Sequence, residues 1–270
     1  MQDVRYAIRG LRRSPAFTLS VILTIGLGLG VSTSVFTIFN AYVLRPFDVR
    51  DPFSLYAVQW QDRSGRVHDF ASSEYDALRR PNTTFTDLAA FRTFGARLKG
   101  LNATGDGVTE NYFTLVGVRA ALGRPFVAED RGAAVMLLSH AAWTTRFGGD
   151  STVIGRRVLV RGYPFQIVGV AREGFEGLFK KPRDFWVPVG ALDRLDSAAA
   201  TSGSRAEPFS VLGRLAPGVS EAQGRAFVFA QLQTLTADRA SADRAARVFL
   251  TSRASAVPRP EPRHAGHGDD

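Results

Sequence analysis

The chain has 270 residues and no cysteine, with 34 Lys and Arg against 25 Asp and Glu, a formal net charge of +9. The missing thiols exclude disulfides, Zn–thiolate sites, Cys nucleophiles and haem-attachment motifs, so any exported domain must be held by its apolar core. The charge excess is almost wholly Arg, since Lys occurs only at Lys99, Lys180 and Lys181. These Arg residues are scattered along the sequence, which argues against nucleic-acid binding; attraction to anionic lipid or envelope polymer is the weaker reading that remains.

Residues 1–13 carry Arg5, Arg9, Arg12 and Arg13 against Asp3, with Val4, Ile8 and Leu11 at helical spacing. That pattern suits a short amphipathic helix anchored on the inner leaflet. From Ser14 to Leu44 there is no charged side chain. About 30 residues rising ~1.5 Å each exceed the ~30 Å hydrocarbon core of a bilayer, and a single segment crosses lipid only as a helix. Arg45, Asp48, Arg50 and Asp51 nearly cancel on the far flank, so the positive-inside rule keeps the N-terminus cytoplasmic and exports the rest. A cleaved signal peptide fits less well, because its apolar region runs only about 7–15 residues and ends at a small-x-small site. Gly26 and Gly30 have the small-xxx-small spacing that lets two membrane helices pack closely.

The exported part, 50–253, reads as α+β. Ser54–Trp60 alternates as a strand, and Ser72-Ser73-Glu74 opens a short helix through Tyr75 and Leu78 that Pro81 stops. Thr84–Phe91 reads as a second helix with Phe85, Leu88 and Phe91 on one face. Val108–Val118 is a strand end running into a helical turn, and Ala134–Leu138 is a buried apolar run. His140–Phe147 reads as a helix ended by Gly148-Gly149. Arg157–Arg161 and Phe165–Val170 are strands flanking a Gly162-Tyr163-Pro164 hairpin. Phe209–Leu215 is a strand, and Ser220-Glu221-Ala222-Gln223 is a capping box starting a helix with Phe227, Val228, Leu232 and Leu235. Arg247–Thr251 closes the outline as a strand. The order implies a β-α-β subdomain split by a β-rich insert at about 119–190. The stretch 254–270 has no apolar periodicity and reads as a disordered tail.

Catalytic chemistry is not legible. His68 lies in a polar turn near Asp69, and His140 directly follows Ser139, unlike the convergent partners of a hydrolase triad. His264 and His267 with Asp269 and Asp270 would form a metal site only with a supporting shell that a polar tail lacks. Glu129-Asp130 and Glu173 with Glu176 sit near Pro and Gly turns and read as solvated loops. Trp60, Trp143 and Trp186 read as packing residues. No catalytic, cofactor or metal residue is assigned, and the chain is read as a non-enzyme.

The opening VRYAIRGLRRSPAFTLSVILTIGLGLGVSTSVFTIFNAYVLRPF resembles the start of MacB-like ABC transporter permeases, in particular the acidobacterial group of duplicated orphan permeases. The resemblance continues through VTENYFTLVGVRAALGRPFVAED, LLSHAAWTTRFGGDSTVIGRRVLVRGYPFQIVGVAREGFEG, DFWVPV and GRLAPGVSEAQ. It implies a periplasmic core lying between the first and second membrane helices, with a porter-like α+β subdomain interrupted by a β-rich one. It also implies a homodimer and a cytoplasmic ABC ATPase as partner, although the orphan branch has no adjacent ATPase. The likeness fades near Arg253, before the three further spans of such permeases, so the chain resembles a permease truncated there. Its partner is then a second copy or a separate C-terminal permease half; a stand-alone anchored interaction module is the other reading.

Overall fold

The computed structural model describes residues 15–39, 49–178, 181–197 and 208–253. It divides into two units, Met1–Arg45 and Pro46–Asp270. In the first, helix α1 spans Pro15–Phe39, and its Thr18–Thr37 stretch of 20 residues is long and apolar enough to cross a membrane. No other helix among the described residues is. The Thr24, Ser34 and Thr37 hydroxyls donate to the carbonyls of Ser20, Gly30 and Thr33, each at 2.8 Å. These three hydroxyls are thereby satisfied without a second chain.

The second unit is built on an 11-stranded mixed sheet. Its strands are β1 (Leu55–Asp62), β2 (Val67–His68), β3 (Phe85–Leu98), β4 (Leu101–Val108), β5 (Ala120–Gly123), β6 (Val135–Leu138), β7 (Arg157–Val160), β8 (Tyr163–Ala171), β9 (Phe185–Pro188), β10 (Ser210–Leu215) and β11 (Ala245–Ser252). The order is β11-β1-β10-β3-β4-β9-β6-β8-β5, with β2 on β1 and β7 on β8. Strands β5 to β9, all from the stretch 119–190, are thus contiguous at one end. The helices of this unit are α2 (Ser72–Leu78), α3 (Tyr112–Val116), α4 (His140–Phe147), α5 (Leu192–Ser197) and α6 (Glu221–Leu235).

Alternate strand residues feed different cores, as the period of two requires. Leu55, Ala89, Phe91, Leu137, Trp186 and Leu212 pack with Tyr112, Phe113 and Val116 of α3. The intervening residues Val58, Trp60, Ala90 and Val211 pack with Leu78 of α2 and with Val228 and Leu232 of α6. Toward the other end of the sheet, Phe94, Leu98, Met136, Phe165 and Phe185 form a third cluster with Leu192 and Leu195 of α5.

One expected helix is a strand. Phe85–Phe91 belongs to β3, and the spacing of Phe85 and Leu88 has a local cause: the β10 pairing jumps from Arg214↔Asp87 to Leu215↔Phe85. This bulge returns Phe85 to the face of Leu88, imitating one helical step in an extended chain, whereas Phe91 falls on the opposite face with Ala89. β4 was not anticipated, since Gly105, Asp106 and Gly107 are poor strand formers. Both glycines are required by close approach, because a Cβ would lie 2.5 Å from the Phe185 ring at Gly105 and 2.3 Å from Leu192 at Gly107. The hairpin between β7 and β8 is tighter than expected: Arg161 and Gly162 turn with φ of 49° and 87°, while Tyr163 and Pro164 are already in β8. The other elements expected within 50–253 form, with boundaries shifted by a few residues at most.

Candidate functional site

The segment leading into the core and the last described strand lie side by side. β1 and β11 are antiparallel, Tyr56 opposes Ser252, and the Arg253 N–H donates to the Leu55 carbonyl at 2.8 Å. Arg214, next to last in β10, ties this seam to the core. All five of its N–H groups are used: Nε and Nη2 donate to the Leu115 carbonyl at 3.3 and 2.8 Å, and Nη2 also to the Arg50 carbonyl at 2.6 Å. Nη1 donates to the Asp51 carbonyl at 2.7 Å and to Ser54 Oγ at 2.6 Å.

The Arg214 side chain is 6% exposed, and the Asp51 carboxylate is 4.0 Å away and largely exposed. Carbonyl dipoles, including one at the C-terminus of α3, therefore do most of the work of solvating the buried charge. Burial, with the neighbouring Arg50 charge, lowers the guanidinium's pKa. The Arg50 N–H in turn donates to the Val116 carbonyl at 2.9 Å. Gly117 ends α3 with φ of 72°, and a Cβ there would meet Arg50 Cβ at 2.4 Å. Its two reasons to be glycine both serve the seam.

A second buried charge links β3, β4 and the loop before β9. Arg183 Nε donates to Asp106 Oδ1 at 2.6 Å and Nη2 to Thr93 Oγ1 at 3.0 Å, with Thr93 Oγ1 donating to Asp106 Oδ1 at 2.7 Å. Burial pushes the Asp106 carboxyl up, against the opposing pull of Arg183. Sequence reasoning missed this pair; an Asp between two glycines was its only local signal.

The histidines do not assemble a reactive site. His68 Nε2 lies 2.7 Å from Asp62 Oδ2, and its ring stacks on Trp60 with centroids 4.5 Å apart. His140 packs edge-on against Trp143, and the adjacent Ser139 Oγ caps α4 by accepting the Ala142 N–H at 3.1 Å. Asp130 pairs with Arg124 and accepts the Val127 N–H, while Glu129, Glu173 and Glu176 are exposed. Trp60 and Trp186 are buried in the core. Among the described residues no group of three or more His, Asp or Glu is spaced to hold a metal ion.

Comparison with known proteins decides the family, because the MacB-like periplasmic core domain matches residues 18–231. The chain belongs to the MacB-like periplasmic core domain family. Its fold is similar to the periplasmic region of MacB from Actinobacillus actinomycetemcomitans, with a TM-score of 0.53, 14% identity, and 74% of this chain and 89% of that one covered. The extracellular domain of the noncanonic ABC-type transporter YknZ from Gram-positive bacteria gives a TM-score of 0.53 and 15% identity, covering 72% of this chain and 100% of that one. In sequence, 75 residues are 36% identical to a protein of Pseudomonas fluorescens named "Probable export ATP-binding/permease protein". That match spans 27% of this chain and 12% of the relative.

A MacB-like core domain beside one apolar N-terminal helix fits a membrane-anchored component of an ABC transporter permease. On that helix Gly26 and Gly30 are open, with nothing within 4 Å of a Cβ at either position. Arg5, Arg9, Arg12 and Arg13, like the tail with His264 and His267, lie outside the described residues.

Proposed function

We propose that the chain is the span-and-core part of a MacB-like ABC transporter permease, a non-enzymatic component whose core relays motion between the membrane and a partner or substrate outside it. The seam is the observation that carries this reading. A core inserted between two spans must return its chain to where it entered, and here Leu55 and Arg253 are joined by a backbone hydrogen bond of 2.8 Å. Arg214 makes the leading segment part of the core, so a pull on residues 50–54 acts on the sheet and not on slack chain.

In this reading 1–13 rests on the cytoplasmic leaflet through Arg5, Arg9, Arg12 and Arg13, and 14–44 makes a single pass through the inner membrane. The span is followed by the periplasmic core at 50–253, with 119–190 as its β-rich subdomain, and 254–270 is a tail. Gly26 and Gly30 are where α1 packs against a second copy or a separate C-terminal permease half, with a cytoplasmic ABC ATPase as the motor.

The absence of cysteine makes the test direct. Ser64→Cys, at an exposed turn, labels with a membrane-impermeant maleimide in intact spheroplasts if the core is periplasmic. Gly26→Cys and Gly30→Cys proteins cross-link to themselves or to a co-purified permease half. Labelling of Ser64→Cys only after lysis would overturn the orientation. Cross-linking to neither, with no permease or ATPase co-purifying, would overturn the transporter role and favour a stand-alone anchored module. The self-contained sheet with its three apolar clusters suits that second reading.

A further inference from the structure

The Arg and Lys residues scattered in sequence are partly gathered in space. A cleft of about 1350 Å³ opens between the β3–β4 hairpin, β7 and the loop before β9, and among the described residues six cations and one carboxylate line it. The carboxylate, Asp184, is already satisfied by Arg146 Nη2 at 2.7 Å and by the Thr104 N–H at 2.8 Å. Of the cations, Arg156 is paired with Asp150 at 2.6 Å, and Arg161 donates through Nε and Nη2 to the Gly95 carbonyl at 3.1 and 2.9 Å. Lys99 Nζ lies 5.0 Å from the Phe147 ring centroid. Arg97, Arg157 and Lys181 are exposed in the lining and have no carboxylate partner among the described residues. Like charges crowded in a concave site raise its potential, and an anion relieves them.

The cleft is also apolar. Arg157 and Leu159 share one face of β7, opposite Val158 and Val160, which turn toward the core. Leu159 is 60% exposed between the cationic positions, and Phe147 forms another wall. Water satisfies the cations but not these side chains, and an inorganic anion leaves them bare. We infer that this cleft binds an anionic amphiphile, with a phosphate or carboxylate head held by Arg97, Arg157 and Lys181 and an aliphatic body against Leu159 and Phe147. The inference goes beyond the permease reading and does not rest on it, because binding needs neither an ATPase nor a second permease half.

The test uses the full chain in neutral detergent with Asn102→Cys, a cleft position, carrying an environment-sensitive fluorophore. Dihexanoyl phosphatidic acid gives a saturable response, while dihexanoyl phosphatidylcholine (same tails, no net charge) and glycerol 3-phosphate (head alone) each bind at least about tenfold more weakly. Arg97→Gln with Arg157→Gln weakens phosphatidic acid by about tenfold or more, and Leu159→Ser weakens it while leaving glycerol 3-phosphate unchanged. Circular dichroism melts establish that these surface variants remain folded. A fluorophore at Ser64→Cys, outside the cleft, stays silent. Equal response to both lipids, indifference to the Arg substitutions, or a matching response at Ser64→Cys would overturn the inference as partitioning into micelles. Glycerol 3-phosphate binding as tightly as phosphatidic acid would overturn the amphiphile and leave a bare anion site.

Discussion

Replacing Arg214 by Met keeps most of the side-chain volume and removes five donors and a charge. The Leu115 carbonyl is buried and receives two of the Arg214 hydrogen bonds, so it is left unpaired, at about 1–3 kcal/mol. The Arg50 and Asp51 carbonyls and Ser54 Oγ lie near the surface, where water replaces part of what is lost, adding about 1–2 kcal/mol in all. Removing a buried charge returns some desolvation free energy, so the net cost is about 2–4 kcal/mol. For a core of this size that lowers the melting temperature by roughly 5–15 °C. Arg214→Lys keeps the charge but has three donors, and falls about midway. The Asp51 carboxylate is 63% exposed and 4.0 Å distant, so Asp51→Asn changes stability by less than ~0.5 kcal/mol. Melting in neutral detergent gives the global figure, and amide exchange at Arg50, whose N–H bonds Val116, gives the local one. A melting temperature for Arg214→Met within a degree of wild type, with unchanged exchange at Arg50, would refute the seam as a mechanical tie.

The Asp106–Arg183 pair should behave as one unit: Asp106→Leu alone takes the carboxylate from a guanidinium that is 5% exposed and costs about 3–5 kcal/mol, whereas Asp106→Leu with Arg183→Met recovers most of that in urea unfolding. Asp62 has a carboxyl held well below its ordinary 3.8 by the Ser64 hydroxyl at 2.6 Å, against burial, with help from His68 and the Arg66 N–H. Its depressed folded pKa gives stability that is complete above the unfolded value and is lost as pH falls through the folded one. The gap between wild type and Asp62→Asn therefore narrows as pH falls below about 4; a gap that widens there is the wrong sign. Gly105→Val drives a side chain into the Phe185 ring and should cost at least about 1–3 kcal/mol; an unchanged denaturation midpoint would contradict the close contact. Ser139→Ala removes the α4 cap at a cost of about 1 kcal/mol, and full hydrolytic silence of wild type and variant alike is the outcome consistent with a capping role.

Local signals were legible where the chain obeys local rules. Ser139 and Gly148 fix both ends of α4, Ser220 and Gln223 start α6, and Gly162 marks a turn between two alternating strands. Reading failed where tertiary contact sets the residue. β3 lies between β10 and β4 and is buried on both faces over Leu88–Phe91, so the period of two is hidden and a bulge supplies a false period of three. β4 carries glycines because Phe185 and Leu192, some 80 residues distant in sequence, press on its backbone. Arg214 sits in a GRLAPG stretch whose own neighbours give no reason for burial; its partners at Arg50, Asp51 and Leu115 are about 100 residues or more away in sequence. The cleft was invisible for the same reason, its cations coming from β3, β7 and the loop before β9.

Two of the features that sequence could not reveal share one strand. At one end of β3, Asp87 pairs with Arg214 across the β10 ladder; at the other, Arg97 walls the cleft. Roughly 33 Å of extended chain separates them. β3 is bonded to β10 over Phe85–Phe91 and to β4 over Phe91–Leu98, so its backbone has a partner along its whole length. A strand so held transmits a displacement more readily than it absorbs one, and the Arg161 guanidinium clamps the carbonyl of its one glycine, Gly95. Contiguity is not coupling. Coupling requires that Arg214→Met change amphiphile affinity in the cleft, and thermodynamic reciprocity then requires that bound amphiphile shift the opening equilibrium of the seam by the same factor, read at the Arg50 amide. If β3 instead flexes at Gly95, the two sites are independent and both measurements stay still together.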